Sequence, residues 1–149
     1  MIWERNKVDL HDLPLTKKRK KGEGKVVARA AQAFNIEPEG TNIPGYIGGC
    51  MELPPLGIKD EEGVGPCSQM FFVCDCQPEA LEVAFADPNV DGGNFDAETA
   101  QRFLLSKGGI FHIPAGNVYR IQNHSKRVDC ILHWTIIRPA PEQPDQEEE

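Results

Sequence analysis

The sequence predicts an all-β chain folded as a double-sheet jelly-roll barrel, and three observations predict it. Short apolar stretches recur at 45–53, 67–74, 80–86, 102–106, 109–114, 117–123 and 128–137. Clusters of Gly, Pro, Asn or Asp separate most of them, including Pro54-Pro55 and the DPNVDGGNFDAE run from Asp87 to Glu98. Evenly spaced short strands divided by turn residues indicate a sandwich or barrel. The third observation is a fixed string: Gly108, five residues, Pro114, one residue, Gly116, two residues, Tyr119, three residues, Asn123.

Taken in order, residues 1–24 read as a flexible basic arm with one aromatic anchor, Trp3. Residues 25–42 read as a segment covering the barrel. Within it KVVARAAQAF, from Lys25 to Phe34, sets Val26, Val27, Ala30, Ala31 and Phe34 on one helical stripe. That stripe favours a short helix, although Val26-Val27 also suits a strand. Residues 43–138 form the barrel domain. The end, PAPEQPDQEEE from Pro139 to Glu149, is proline-rich and acidic and reads as a disordered tail.

The string from Gly108 to Asn123 is the second signature of the cupin barrel, and each part has a local reason. GIFHI, from Gly109 to Ile113, suits a strand, and Pro114 ends it by withholding a backbone donor. Gly116-Asn117 meets the positive φ of a tight hairpin, and Val118 to Ile121 resumes alternation. Metal-binding cupins place a histidine where this chain has Tyr119. Their other ligands, two histidines and a glutamate ahead of an aromatic strand, fall near Glu62 and Val64 and on Gln69, before Met70 to Cys74. No histidine lies between His11 and His112. A valine, an amide and a phenol do not replace imidazole and carboxylate ligands, so the barrel is expected to be metal-free and without a cofactor. Tyr119 then becomes a core residue whose hydroxyl needs one internal partner.

The strand register assigns faces. With Gln69 and Tyr119 inward, Phe71, Val73, Ile121, Leu81, Val83, Phe85, Phe111 and Ile113 follow them into the barrel. The opposite face then carries Met70, Phe72, Cys74, Ile110, His112, Ile131, His133, Thr135 and Ile137, and only Glu82 is polar in the way a solvated face requires. Strands apolar on both faces are covered on both. The available covers are the segment before residue 43 and a second copy of the chain. A two-fold homodimer through Met70, Phe72, Ile110, His112, Ile131, His133 and Ile137 is the expectation.

Length and composition bound the rest. A chain of 149 residues with 40% hydrophobic residues is one domain with one core. Five cysteines, an odd count without a secretory signal, favour reduced thiols inside the cell, and no apolar run has the length to span a membrane. The net charge of −7 is divided: residues 1–29 carry nine Lys/Arg against four Asp/Glu, and the remainder seven against nineteen. So acidic a barrel is not expected to bind nucleic acid through its body. Any phosphate contact falls to Lys17, Lys18, Arg19, Lys20 and Lys21, which read first as a solvated linker or nuclear-import signal.

With these stretches laid out, the chain resembles the C-terminal cupin domain of the fungal centromere protein C (CENP-C) family. The resembling residues are Gly48 to Lys59, Gln69 to Val73, Ala80 to Phe85 and, most specifically, Phe103 to Asn123 (FLLSKGGIFHIPAGNVYRIQN), where that family has tyrosine in place of the ligand histidine. The departures are Ala115, often basic in the family, and Cys76, usually glycine. The resemblance implies a non-enzymatic homodimerisation module of an inner-kinetochore protein, with kinetochore proteins and the centromeric nucleosome as partners in the nucleus. The family's nucleosome-binding motif lies upstream of the cupin, so that contact is expected mostly outside this chain, with Trp3 at most its last aromatic.

Two other readings were open on the residues. One is a module whose pocket or outer face docks a peptide or ligand. The other is a metal-independent isomerase or epimerase, for which Tyr119 is the one candidate base and lacks a partnering histidine or lysine. Cys74-x-Cys76, with Cys67 or Cys50, offers thiolates for zinc, but not at the usual two-residue spacing.

Overall fold

A computed structural model describes residues 2–7, 9–14, 26–38, 43–87, 95–140 and 142. The strands are β1 (His11–Asp12), β2 (Arg29–Ile36), β3 (Tyr46–Leu53), β4 (Ile58–Gly63), β5 (Ser68–Asp75), β6 (Leu81–Phe85), β7 (Gln101–Leu105), β8 (Ile110–Ile113), β9 (Val118–Asn123) and β10 (Cys130–Ile137). They form two antiparallel sheets, a six-stranded one ordered β1-β2-β3-β10-β5-β8 and a four-stranded one ordered β4-β9-β6-β7. Met51, Leu53, Phe71, Val73, Leu81, Ile113, Tyr119, Ile121 and Leu132 fill the space between them. The all-β jelly roll expected from alternation and turn spacing is the fold found.

The seven expected strands are β3 and β5 to β10, and the residues expected to point inward on β5, β6, β8 and β9 are buried or half-buried. Phe85 and Phe111 are half-buried members of the same core. Gly108 and Gly116 have φ of 88° and 80°, the left-handed region the signature glycines supply without a Cβ penalty. The Gly116 N–H also donates to the Gly65 carbonyl at 2.8 Å, tying the hairpin to the neighbouring turn.

Two elements differ from expectation. The stretch favouring a helix is β2, which pairs with β3 from Arg29↔Glu52 to Ile36↔Tyr46. Its helical spacing is overridden because β3 presents an open backbone ladder, and extending a sheet satisfies more peptide groups than an isolated short helix would. The segment therefore lengthens the sheet instead of covering its face. The second difference is β4, IKDEEG, which is absent from the expected strands. It pairs with β9 around a bulge between Lys59 and Glu62, and Ile58, Lys59 and Asp60 are buried there.

Residues 2–7 and 9–14, assigned by sequence to a flexible arm, lie against the barrel. Trp3 meets the His133 ring edge-on at 6.0 Å, and Arg5 pairs with Glu52 at 2.6 Å. β1 then pairs with β2, and the Leu13 N–H donates to Ala28 O at 2.8 Å. The lysine-rich run Lys17 to Lys21 and most of the acidic tail lie outside the described residues.

Candidate functional site

Two places collect the residues singled out by sequence, the barrel interior and the outer face of the six-stranded sheet. In the interior, β9 aims Tyr119 inward, fully buried, and its hydroxyl donates to Gln69 Oε1 at 2.7 Å. The internal partner that the phenol requires is thus the side chain at the glutamate position of metal cupins. Phe71 meets the Tyr119 ring edge-on at 5.8 Å and stacks on Phe111 at 4.7 Å. Burial, then repulsion from Glu62, pushes the Tyr119 pKa well above its usual value, against the weaker pull of the Gln69 bond.

Contrary to the sequence expectation, Tyr119 has a lysine beside it. The Lys59 ammonium, on a residue 5% exposed, sits 4.5 Å from the Tyr119 ring centroid and pairs with Glu62. The β4 bulge places these residues, since Glu62 lies opposite Tyr119 and Lys59 opposite Ile121. Burial pushes the Lys59 pKa down, and Glu62 and then Asp60 hold it partly up. Sequence reasoning missed Lys59 because a lysine followed by three acidic residues reads as solvated, and its pairing with β9 is not a local signal. Chemically the interior is self-satisfied: the cation has a carboxylate and an aromatic face, and the phenol has an amide. Cavities of about 200 Å³ and 190 Å³ lie beside Lys59 with Leu13 and Pro14, and beside Gln69 with Cys67 and Ile136.

Asn123, the last residue of the signature, is a structural pin. Fully buried, its amide donates to the carbonyls of Leu53, Pro54 and Val128 at 3.0, 3.2 and 2.9 Å, and its oxygen accepts the Ser125 N–H at 2.9 Å. That environment closes the Asn-His-Ser sequon to glycosylation. Beside it, His124 meets Glu82 at 3.2 Å on the outer face.

The outer face of the six-stranded sheet holds the residues expected at an interface. Cross-strand register lines up Cys50, His133, Phe72 and Ile110 in one row, and Gly48, Thr135, Met70 and His112 in the next, with Ile137 opposite Tyr46 beyond. Ile110, Met70, Phe72 and Ile137 are 63%, 46%, 45% and 39% exposed. His112 and His133 are also exposed, and Ile131 is half-buried beside Glu52. The zinc reading does not survive the geometry. Cys74 bonds Phe72 O on the outer side, Cys76 bonds Leu105 O inside, and no group of three metal-ligating side chains converges among the described residues. Burial, followed by the neighbouring Cys76 thiol, pushes the Cys130 thiol up to about 12.

No family model and no curated protein matches the chain. Solved structures do. The Schizosaccharomyces pombe Cnp3 cupin domain matches at 21% identity and TM-score 0.56, over 75% of this chain and 61% of that one, so this chain spans less than two-thirds of its length. A protein from Thermotoga maritima described as a predicted oxalate decarboxylase matches at 14% identity and TM-score 0.61, over 93% and 100%. KdgF from Halomonas sp. matches at 12% and 0.57, over 95% and 96%. At these identities the shared property is the fold: the barrel around Tyr119, Gln69 and Lys59 has the cupin architecture.

Proposed function

We propose that this chain is a non-enzymatic homodimerisation module of the centromere protein C type, within a nuclear, inner-kinetochore protein that reaches centromeric nucleosomes largely through other regions. One observation carries the dimer: Met70, Phe72, Ile110 and Ile137 stand exposed together on one sheet face. A patch of that kind is a binding surface, and a two-fold lets it bury against its own copy. The tyrosine-for-histidine signature from Gly108 to Asn123 and the fold shared with the Cnp3 cupin domain support the family part of the reading. The interior supports the non-enzymatic part. A phenol pushed above its usual range is a poor base near neutral pH, and the neighbouring ammonium is tied to Glu62. Joining two copies doubles whatever the flanking regions bind and raises avidity through effective concentration.

Sedimentation of the purified chain tests this directly. The unmodified protein is expected to be a dimer at micromolar concentration. Phe72→Glu and Ile110→Glu are expected to be folded monomers, weakened roughly hundredfold or more, because each buries a charge in an apolar contact. A monomeric unmodified chain sinks the reading.

A further inference from the structure

The outer face of the six-stranded sheet already holds one peptide, the chain's own N-terminal strap. Trp3 stands edge-on to His133 of β10 at 6.0 Å, and Arg5 pairs at 2.6 Å with Glu52 of β3, whose side chain is 16% exposed. Between these anchors lies Cys50, fully buried although its side chain belongs to the outer row; burial pushes its thiol pKa up, and the nearby Arg5 guanidinium pulls only partly the other way. Glu52, Cys50 and His133 therefore form a seat for a tryptophan two residues ahead of an arginine. This seat is continuous with the exposed row through Phe72 and Ile110.

The strap fits its own seat incompletely. Trp3 Nε1 and Arg5 Nε are both buried, and neither has a hydrogen-bond acceptor among the described residues. Two such donors cost roughly 1–3 kcal/mol each, more than an exposed ion pair returns. Nor is the strap stitched to the sheet. Among the described residues, the backbone bond within residues 2–7 is internal, from Lys7 N–H to Glu4 O, and the 3-10 turn Arg5–Lys7 buries no residue. Seven residues lie between Trp3 and His11 of β1, a span of up to about 26 Å when extended.

We propose that the seat is a docking site for a Trp-x-Arg segment supplied in trans, and that in the dimer the two copies exchange straps across the two-fold. This rests on the dimer reading, since the seat adjoins the face proposed to bury against a second copy. Exchange keeps the Trp3–His133 and Arg5–Glu52 contacts and brings polar groups of the second copy within reach of the two unpaired donors. Each strap then clasps the other barrel.

Complementation between two full-length variants tests it. Trp3→Ala/Arg5→Glu disarms the strap and leaves the seat, and Glu52→Arg disarms the seat and leaves the strap. Alkylation of Cys50 by iodoacetamide, read by mass spectrometry, reports an empty seat. Alone, the strap variant is expected to alkylate at Cys50 at least tenfold faster than the unmodified protein. Co-expressed with the seat variant, it is expected to regain protection, because an intact strap then reaches an intact seat only from the other chain. Adding Glu52→Arg to the strap variant, which reverses the charge pair, is expected to restore part of the protection within one protein. If the two chains sediment as a heterodimer and Cys50 stays reactive, exchange is wrong and the dimer stands. If Cys50 never becomes reactive in the strap variant, the strap is not its cover and the seat is wrong. If the chains do not associate, the dimer reading itself fails and exchange falls with it.

Discussion

Asn123 and Tyr119 are both buried signature residues, yet they differ in what their removal leaves behind. Asn123→Ala strands the carbonyls that its amide serves and frees the Ser125 N–H, so a loss of roughly 2–4 kcal/mol is expected. Tyr119→Phe keeps the ring under Lys59 and unpairs only Gln69 Oε1, so a loss of roughly 1–2 kcal/mol is expected. Urea unfolding checks the order, and an Asn123→Ala loss smaller than the Tyr119→Phe loss contradicts the pinning role. Lys59 adds a pH signature. Its native pKa lies below the usual 10.5, so between those values the unfolded chain binds a proton that the native chain does not, and stability rises with pH up to about 10.5. Tyr119, the buried thiols Cys50, Cys76 and Cys130 and the half-buried Cys74 are raised instead. They keep protons that the unfolded chain loses, and they cost stability above about pH 9–10. These opposing groups are common to the unmodified protein and Lys59→Met, so the difference between the two isolates Lys59. The stability of the unmodified protein relative to the variant is expected to rise from pH 8 to about pH 10.5. A flat difference means that Lys59 is hydrated and not desolvated.

At the scale of elements, legibility followed whether the signal was local. β5 and β8 are short apolar runs, β6 and β9 alternate, and the Pro114-Gly116 turn joins β8 to β9, so those signals lie within the strands or directly beside them. The inward set from Gln69 to Val73 and from Tyr119 to Ile121 could be read before any fold was known, because a period of two admits one register once a single residue is placed inside. β2 was obscured by its alanines, whose spacing fits a helix equally well, and the choice was made by β3, whose paired residues lie ten to twenty-three positions downstream. β4 was hidden for the opposite reason. Its charges argue for solvent, and only the Tyr119 face and the β9 edge make room for Lys59 inside. The apolar outer row was legible as an anomaly of patterning. The seat beneath Trp3 was not, since it joins residue 3 to residues 52 and 133, which no local spacing connects.

For the whole molecule, charge and apolar surface pull on self-association in opposite directions, and salt separates them. Each copy carries a net charge of −7, concentrated on the barrel, so two barrels repel at low ionic strength. The face proposed to join them offers Met70, Phe72, Ile110 and Ile137 and no carboxylate among them, so its contribution is insensitive to screening. The charged contact beside it among the described residues, Arg5 with Glu52, involves an arginine 37% exposed and counts for little. Raising salt from about 0.1 M to about 1 M shortens the Debye length from about 10 Å to about 3 Å and removes most of the repulsion. The dimer is therefore expected to tighten, roughly threefold to tenfold, over that range, as sedimentation equilibrium measures it. Loosening with salt would mean that the basic N-terminal residues hold the acidic barrel of the other copy by charge, and the apolar face would lose its place as the joint.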